Sequence, residues 1–128
     1  MKKILIVDDE PTILLTLSHI LKGKDNLIIA SSRMEEAEEA LRRYDFDLMI
    51  ADIRLSGMEG IEGLELLSYV KQISSRTEVI VMTAYGSDEM REEAYRRGAL
   101  HYFEKPVDIL QLIKMAGSVG IEVMPTQA

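Results

Sequence analysis

The chain has no cysteine, no long apolar run, no excess of basic residues and no internal repeat, and each absence removes a class of protein. Without cysteine there is neither a disulfide framework nor a thiolate metal site, and the reducing cytoplasm becomes the expected compartment. The first apolar run, Ile4 to Val7, ends at Asp8 and is too short for a signal-peptide core or a membrane span, so no membrane partner is expected. A net charge of −7 argues against direct contact with nucleic acid, because phosphate backbones select basic surfaces. No low-complexity tract is present, and the two histidines, His19 and His101, form no cluster that would take a softer metal.

What remains is a chain of 128 residues, 47% hydrophobic, enough for one domain with a real core. Apolar runs alternate with helical patterns, which reads as an α/β fold with right-handed crossovers. Strands are expected over residues 3–8, 26–30, 47–51, 78–83 and 99–103. The first helix opens at Glu10 with Pro11 in its first turn, turns Ile13, Leu14, Leu17, Ile20 and Leu21 inward, and stops near Gly23. The second, Arg33 to Tyr44, is charged at most positions and keeps Met34, Ala37, Ala40, Leu41 and Tyr44 for packing. The third, Gly63 to Ile73, packs through Leu64, Leu66, Leu67 and Val70. The fourth has Ser87 as N-cap, acids at Asp88 and Glu89, and an end at Gly98. It offers only Met90, Ala94 and marginally Tyr95 to a core, which marks it as an element easy to shift. The fifth, Asp108 to Ala116, carries Ile109, Leu110, Leu112 and Ile113. After Gly117 the pattern dissolves, and residues 118–128 read as a linker stub, an extra strand or disorder.

Four chemically active residues end four of these runs: Asp9, Asp52, Thr83 and Lys105. A parallel sheet gathers the carboxyl ends of its strands along one edge, so the four are expected at one site. Each alone has an ordinary reading: a solvated cap acid, a strand-end turn, a β-branched strand terminator, a surface lysine beside Pro106. Together they suit the transfer of a phosphoryl group onto an aspartate. At a separation of about 5 Å and an effective dielectric of about 20, two carboxylates repel by about 3 kcal/mol. An incoming phosphoryl donor meets the same repulsion, and a divalent cation with oxygen ligands, Mg²⁺, relieves it. Lys105 can pair with Asp52 at rest and with a phosphoryl oxygen afterwards.

The segments IVDDE (Asp8, Asp9), DIRL (Asp52), MTAYG (Thr83) and YFEKP (Tyr102, Lys105, Pro106) resemble the receiver domain of bacterial two-component response regulators, over residues 2–116. The resemblance implies a doubly wound, five-stranded parallel sheet of order 2-1-3-4-5, flavodoxin-like or CheY-like, with helices on both faces. It implies a receiver domain over residues 1–117, phosphorylated on Asp52 by a sensor histidine kinase or phosphotransfer protein. Mg²⁺ would be held by Asp9, Asp52 and the backbone carbonyl of Arg54, with Asp8 acting through water. Thr83 and Tyr102 would form the switch, Tyr102 turning inward on phosphorylation and remodelling the face made by the fourth helix, fifth strand and fifth helix. That face would bind a second copy or an output domain, and the output would reach transcription through a domain or partner outside this chain. The implied protein is a phosphoacceptor signalling domain rather than an enzyme, although it assists its own phosphorylation and dephosphorylation. TAYG and EKP look most like receivers that precede ATPase-type transcription activators.

The chain departs from the family where Ser56 replaces the usual proline four residues after the phosphorylated aspartate. The segment GMEGIEGLELL is about three residues longer than usual, and Gly57, Gly60 and Gly63 suit a long, mobile loop. Readings from other classes differ at identifiable residues. A flavodoxin-type module would want a hydroxyl- and glycine-rich phosphate loop where this chain has three acids. A phosphatase of the haloacid dehalogenase type would want D-x-D after the first strand, where this chain has DDE. An interaction module that keeps the fold without turning over phosphate is separated by its failure to take up phosphate.

Overall fold

A computed structural model describes residues 1–55 and 61–124. The elements run β1 (Lys2–Val7), α1 (Pro11–Ile20), β2 (Asn26–Ser31), α2 (Met34–Arg43), β3 (Leu48–Asp52), α3 (Glu62–Ile73), β4 (Glu78–Thr83), α4 (Asp88–Arg96), β5 (His101–Glu104) and α5 (Ile109–Ser118). All five strands are parallel in the order β2-β1-β3-β4-β5, the topology that the resemblance implies.

The strands read as nearly continuous apolar runs because both faces of the sheet are covered. Alternate residues serve opposite faces. Leu5, Val7, Met49, Ala51, Val79 and Val81 form one core with Ala37 and Leu41 of α2, Leu64, Leu66, Leu67 and Val70 of α3, and Ala94 of α4. Ile4, Ile6, Leu48, Ile50, Ile80 and Met82 form the other with Leu17 and Leu21 at the end of α1 and Leu112 and Ala116 of α5. Ala94 is the one residue of α4 that is fully buried, and Met90 packs partly buried against the same core.

Local signals place the helix starts. Pro11 opens α1, the Ser87 hydroxyl accepts the Met90 amide at 3.1 Å, and the Asp108 carboxylate accepts the Gln111 amide at 3.1 Å. Two apolar positions fall elsewhere than expected. Leu110 is 80% exposed, because it lies two residues from Leu112 and so about 200° round the helix axis from the buried stripe. Tyr44 is also exposed, lying beyond the end of α2 with its ring 5.9 Å from that of Phe46. The β5 ladder begins at His101 rather than at residue 99. Ser56, Gly57 and Gly60 of the loop after Asp52, and residues 125–128, lie outside the described residues. Gly63 is described: a side chain there would collide with the Asp52 carbonyl, so α3 starts directly against the end of β3.

The segment after α5 is docked. Gly120, at φ +86°, reverses the chain, and the Ile121 amide returns to the Ala116 carbonyl at 3.0 Å. Ile121 is then buried in the second core, the Glu122 carbonyl accepts Asn26 Nδ2 at 2.9 Å, and the Met124 amide reaches the Lys22 carbonyl at 3.1 Å. Residues 119–124 thus lie against the α1–β2 corner, at the sheet end opposite the strand carboxyl ends. Ile121→Ala should cost about 2–5 kcal/mol of unfolding free energy, seen as a lower urea midpoint. A loss under about 0.5 kcal/mol, the range of exposed positions, would mean that the segment is not packed in solution.

Candidate functional site

The carboxyl ends of β1, β3, β4 and β5 meet along one edge, where β1 and β3 are neighbours and the crossovers diverge to opposite faces. Three of these ends share a local device. Asp8 Oδ1 accepts the Glu10 amide at 2.9 Å, Asp52 Oδ1 accepts the Arg54 amide at 3.0 Å, and Thr83 Oγ1 accepts the Tyr85 amide at 3.2 Å. A side-chain oxygen that bonds the amide two residues on ends the strand in a turn and fixes its own position. The Lys105 amide donates to the Thr83 carbonyl at 2.9 Å, which holds the base of the lysine at the same edge.

Lys105 brings the acids together. Its Nζ lies 2.8 Å from Asp8 Oδ2, 3.1 Å from Asp52 Oδ2 and 3.3 Å from Glu10 Oε1. Asp8 is fully buried and Asp52 is 4% exposed, whereas Asp9 and Glu10 face solvent. A cavity of about 230 Å³, lined by Asp9, Glu10, Asp52, Arg54, Ala84, Tyr85 and Lys105, opens over this cluster. Burial pushes the Asp8 carboxyl above its ordinary range, more than the hydrogen bonds and charge of Lys105 and the Glu10 amide pull it down. Asp52 is raised for the same reason, against the Arg54 amide and Lys105, with the charge of Asp9 adding to the rise. Burial by itself would lower the Lys105 ammonium, but the bonds and charges of Asp8 and Asp52 reverse that and raise it.

Among the described residues, Asp8, Asp9 and Glu10 form the group of acids whose ligand atoms lie within 4.8 Å of one another. With Asp52 beside them, four carboxylates face one ammonium. The donors are oxygen only, and Asp9 and Asp52 line an open cavity, so the residues fit a hard divalent cation such as Mg²⁺ that retains water.

Thr83 is fully buried, and its hydroxyl hydrogen stays available because the Tyr85 bond uses the oxygen as acceptor. The ring of Tyr102 is 6% exposed and stands in the inward position that the resemblance associates with phosphorylation, with Arg91 5.5 Å above its centroid. A side chain at Gly86 would collide with Tyr102 Oη and meet Thr83 Cγ2 at 3.1 Å, so the inward ring depends on that glycine. Burial, and then the Glu104 charge, push the Tyr102 phenol up. His101 stacks edge-on against Phe103, with ring centroids 4.4 Å apart. Sequence reasoning did not assign Glu10 to Lys105, nor Tyr85 and Ala84 to the cavity wall, nor Gly86 to Tyr102. The last three lie within TAYG, directly after Thr83, where proximity to the strand end was the available signal.

The family model for the response regulator receiver domain matches residues 4–117. The chain belongs to that family. Response regulator protein PilR of Pseudomonas aeruginosa is 40% identical over 118 residues, 91% of this chain and 26% of that protein. Sporulation initiation phosphotransferase F of Bacillus subtilis is 35% identical over 108 residues, 84% of this chain and 85% of that protein. The solution structure of the beryllofluoride-activated NtrC4 receiver domain dimer matches with a TM-score of 0.82 at 28% identity, covering 93% of this chain and 96% of that one. This receiver domain thus spans about a quarter of the length of its PilR relative and 85% of that of the phosphotransferase. It is the receiver domain of a two-component response regulator, with relatives among transcriptional regulators. No helix among its described residues is long and apolar enough to cross a membrane.

The raised carboxyls tie stability to pH. Between the ordinary carboxylate value and the raised one, the folded receiver binds more protons than the unfolded chain, so ionised Asp8 detracts from stability at neutral pH and the penalty fades as pH falls. In metal-free buffer, Asp8→Asn should raise the urea midpoint at pH 7, with the gain shrinking as the pH is lowered toward 4. A midpoint at pH 7 equal to or below that of the wild type would contradict the assignment.

Proposed function

We propose that Asp52 accepts a phosphoryl group from a phosphohistidine on a sensor histidine kinase or phosphotransfer protein, and that Thr83 and Tyr102 relay its arrival to the face of α4, β5 and α5. The observation that carries this reading is the Lys105 ammonium 3.1 Å from Asp52 Oδ2 at the floor of an open acidic cavity. A carboxylate oxygen of Asp52 attacks phosphorus as the bond to the imidazole nitrogen breaks, and the electron pair leaves with the imidazole. Lys105 exchanges a carboxylate contact for a phosphoryl oxygen as charge shifts outward. Mg²⁺, held by Asp9, Asp52 and the Arg54 carbonyl with Asp8 acting through water, supplies charge neutralisation when bound.

The phosphoryl group presents three acceptor oxygens, and the Thr83 hydroxyl has its hydrogen to donate to one of them. Thr83 and Tyr102 both border Gly86, so a shift of Thr83 changes the space available to the Tyr102 ring. α4, which fully buries only Ala94 and otherwise touches the rest of the domain through Met90 and through contacts such as those of Arg91 and Tyr95 with Tyr102, is the element whose two packings can differ by a few kcal/mol. On the same side of the molecule, Tyr95 and Leu110 are exposed apolar groups for a second copy or an output domain to cover. With a net charge of −7, the domain reaches transcription through such a partner rather than by touching DNA itself, and its setting is the cytoplasm.

Incubation with acetyl phosphate, followed by intact mass, tests the acceptor. One Mg²⁺-dependent phosphoryl increment is expected in the wild type and none in Asp52→Asn, and an increment on intact Asp52→Asn protein would refute the assignment. Thr83→Ala should still take up phosphate, yet the Tyr102 ring resonances should change by less than a third of the wild-type shift. A full shift at Tyr102 in Thr83→Ala would remove Thr83 from the relay.

A further inference from the structure

The relay alone does not account for the Tyr102 hydroxyl. Tyr102 Oη is buried and meets no hydrogen-bond partner with bonding geometry among the described residues. A buried hydroxyl without a partner is costly, so the inward ring needs something to hold it. The polar groups acting on the phenol are the Glu104 carboxylate, the Ser87 amide and, more weakly, the Arg91 and Asp88 charges. The Ser87 amide is a donor and can fill only the acceptor side of the hydroxyl. The hydroxyl's own hydrogen needs an acceptor, and Glu104 and Asp88 are the carboxylates whose charge reaches the phenol.

Glu104 is the better placed of the two. Tyr102 and Glu104 are two residues apart on β5, so their side chains leave the same face of the strand. A side chain on Gly86 would collide with Tyr102 Oη and would stand 2.6 Å from Glu104 Oε2, so both oxygens border the same small space. Glu104 is exposed, and among the described residues its carboxylate makes neither a side-chain hydrogen bond nor an ion pair, so it can turn by a side-chain rotation. Asp88 sits at the start of α4, behind the Ser87 cap.

We propose that Glu104 is a positioning residue for the switch: its carboxylate accepts the Tyr102 hydroxyl and holds the ring inward against Gly86. The inward ring is then tied to its own strand, β5, through Glu104. Phosphorylation at Asp52 acts on a ring whose resting position Glu104 has already biased. This deepens the reading of Tyr102 as the relay residue, but the contact itself exists without any phosphoryl transfer.

The test uses the unphosphorylated chain, so its failure is separate from a failure of the phosphoacceptor assignment. Nuclear Overhauser contacts between the Tyr102 ring and the Thr83 methyl group report the inward position. They should be strong in the wild type, fall at least threefold in Glu104→Ala, and return to more than half of the wild-type intensity in Glu104→Gln, whose amide oxygen still accepts. In a Tyr102→Phe background, which has no hydroxyl to hold, Glu104→Ala should leave the ring contacts unchanged. Unchanged contacts in Glu104→Ala alone, or the same loss in the Tyr102→Phe background, would overturn the proposal. A loss in Asp88→Asn with none in Glu104→Ala would transfer the role to Asp88 and equally overturn it.

Discussion

The Lys105 ammonium between Asp8 and Asp52 is the contact on which the site depends. Two carboxylates that are almost entirely buried cannot remain ionised side by side without a counter-charge, and removing that counter-charge from such a cluster typically costs about 3–5 kcal/mol. The ammonium satisfies them only in part. Asp9 and Glu10 add two further acids at the rim, so the pocket keeps a surplus of negative charge, while burial holds both buried carboxyls above their ordinary range. That imbalance is a chemical property of the pocket. It favours a divalent cation over a second lysine.

The sheet makes this cluster unavoidable. Because β1 and β3 are neighbours, Asp8 and Asp52 emerge side by side, and because β5 lies beyond β4, Lys105 must lean back across Thr83 to reach them. The acids, Thr83 and Lys105 therefore share one row of strand ends. Thr83 closes β4 beside the cavity, Gly86 follows three residues later, and the Tyr102 ring sits against that glycine. Beyond it stands α4, the helix with least buried surface. The polar cluster stands on the strand ends, and the helix beside it fully buries only Ala94.

Most of this was legible in the sequence because it rests on chain periodicity and on residues at strand ends. Alternation of apolar runs and helical patterns gave the element order, and Asp52, Thr83 and Lys105 were visible as polar residues closing apolar strands. Exposure of Leu110 was not legible, since a run of four apolar residues in five offers two possible inward stripes and only packing against β4 and β5 selects Leu112 and Ala116. Docking of residues 119–124 was hidden for a different reason. It depends on a left-handed Gly120 and on Gly23, whose missing side chain lets the Glu122 carbonyl approach. Both are long-range steric facts that no local pattern announces. The pairing of Glu10 with Lys105 and the closeness of Gly86 to Tyr102 belong to the same class.

The surplus of negative charge at the strand ends is the central claim, and a Mg²⁺ titration followed by backbone amide NMR tests it most directly. Saturable one-site shifts are predicted at Asp9, Asp52 and Arg54, with Glu35, Glu36, Glu38 and Glu39 on the exposed acidic helix α2 unmoved. Absence of saturation at the strand ends, or equal shifts along α2, would contradict the account, because the pocket would then be no different from any exposed cluster of acids.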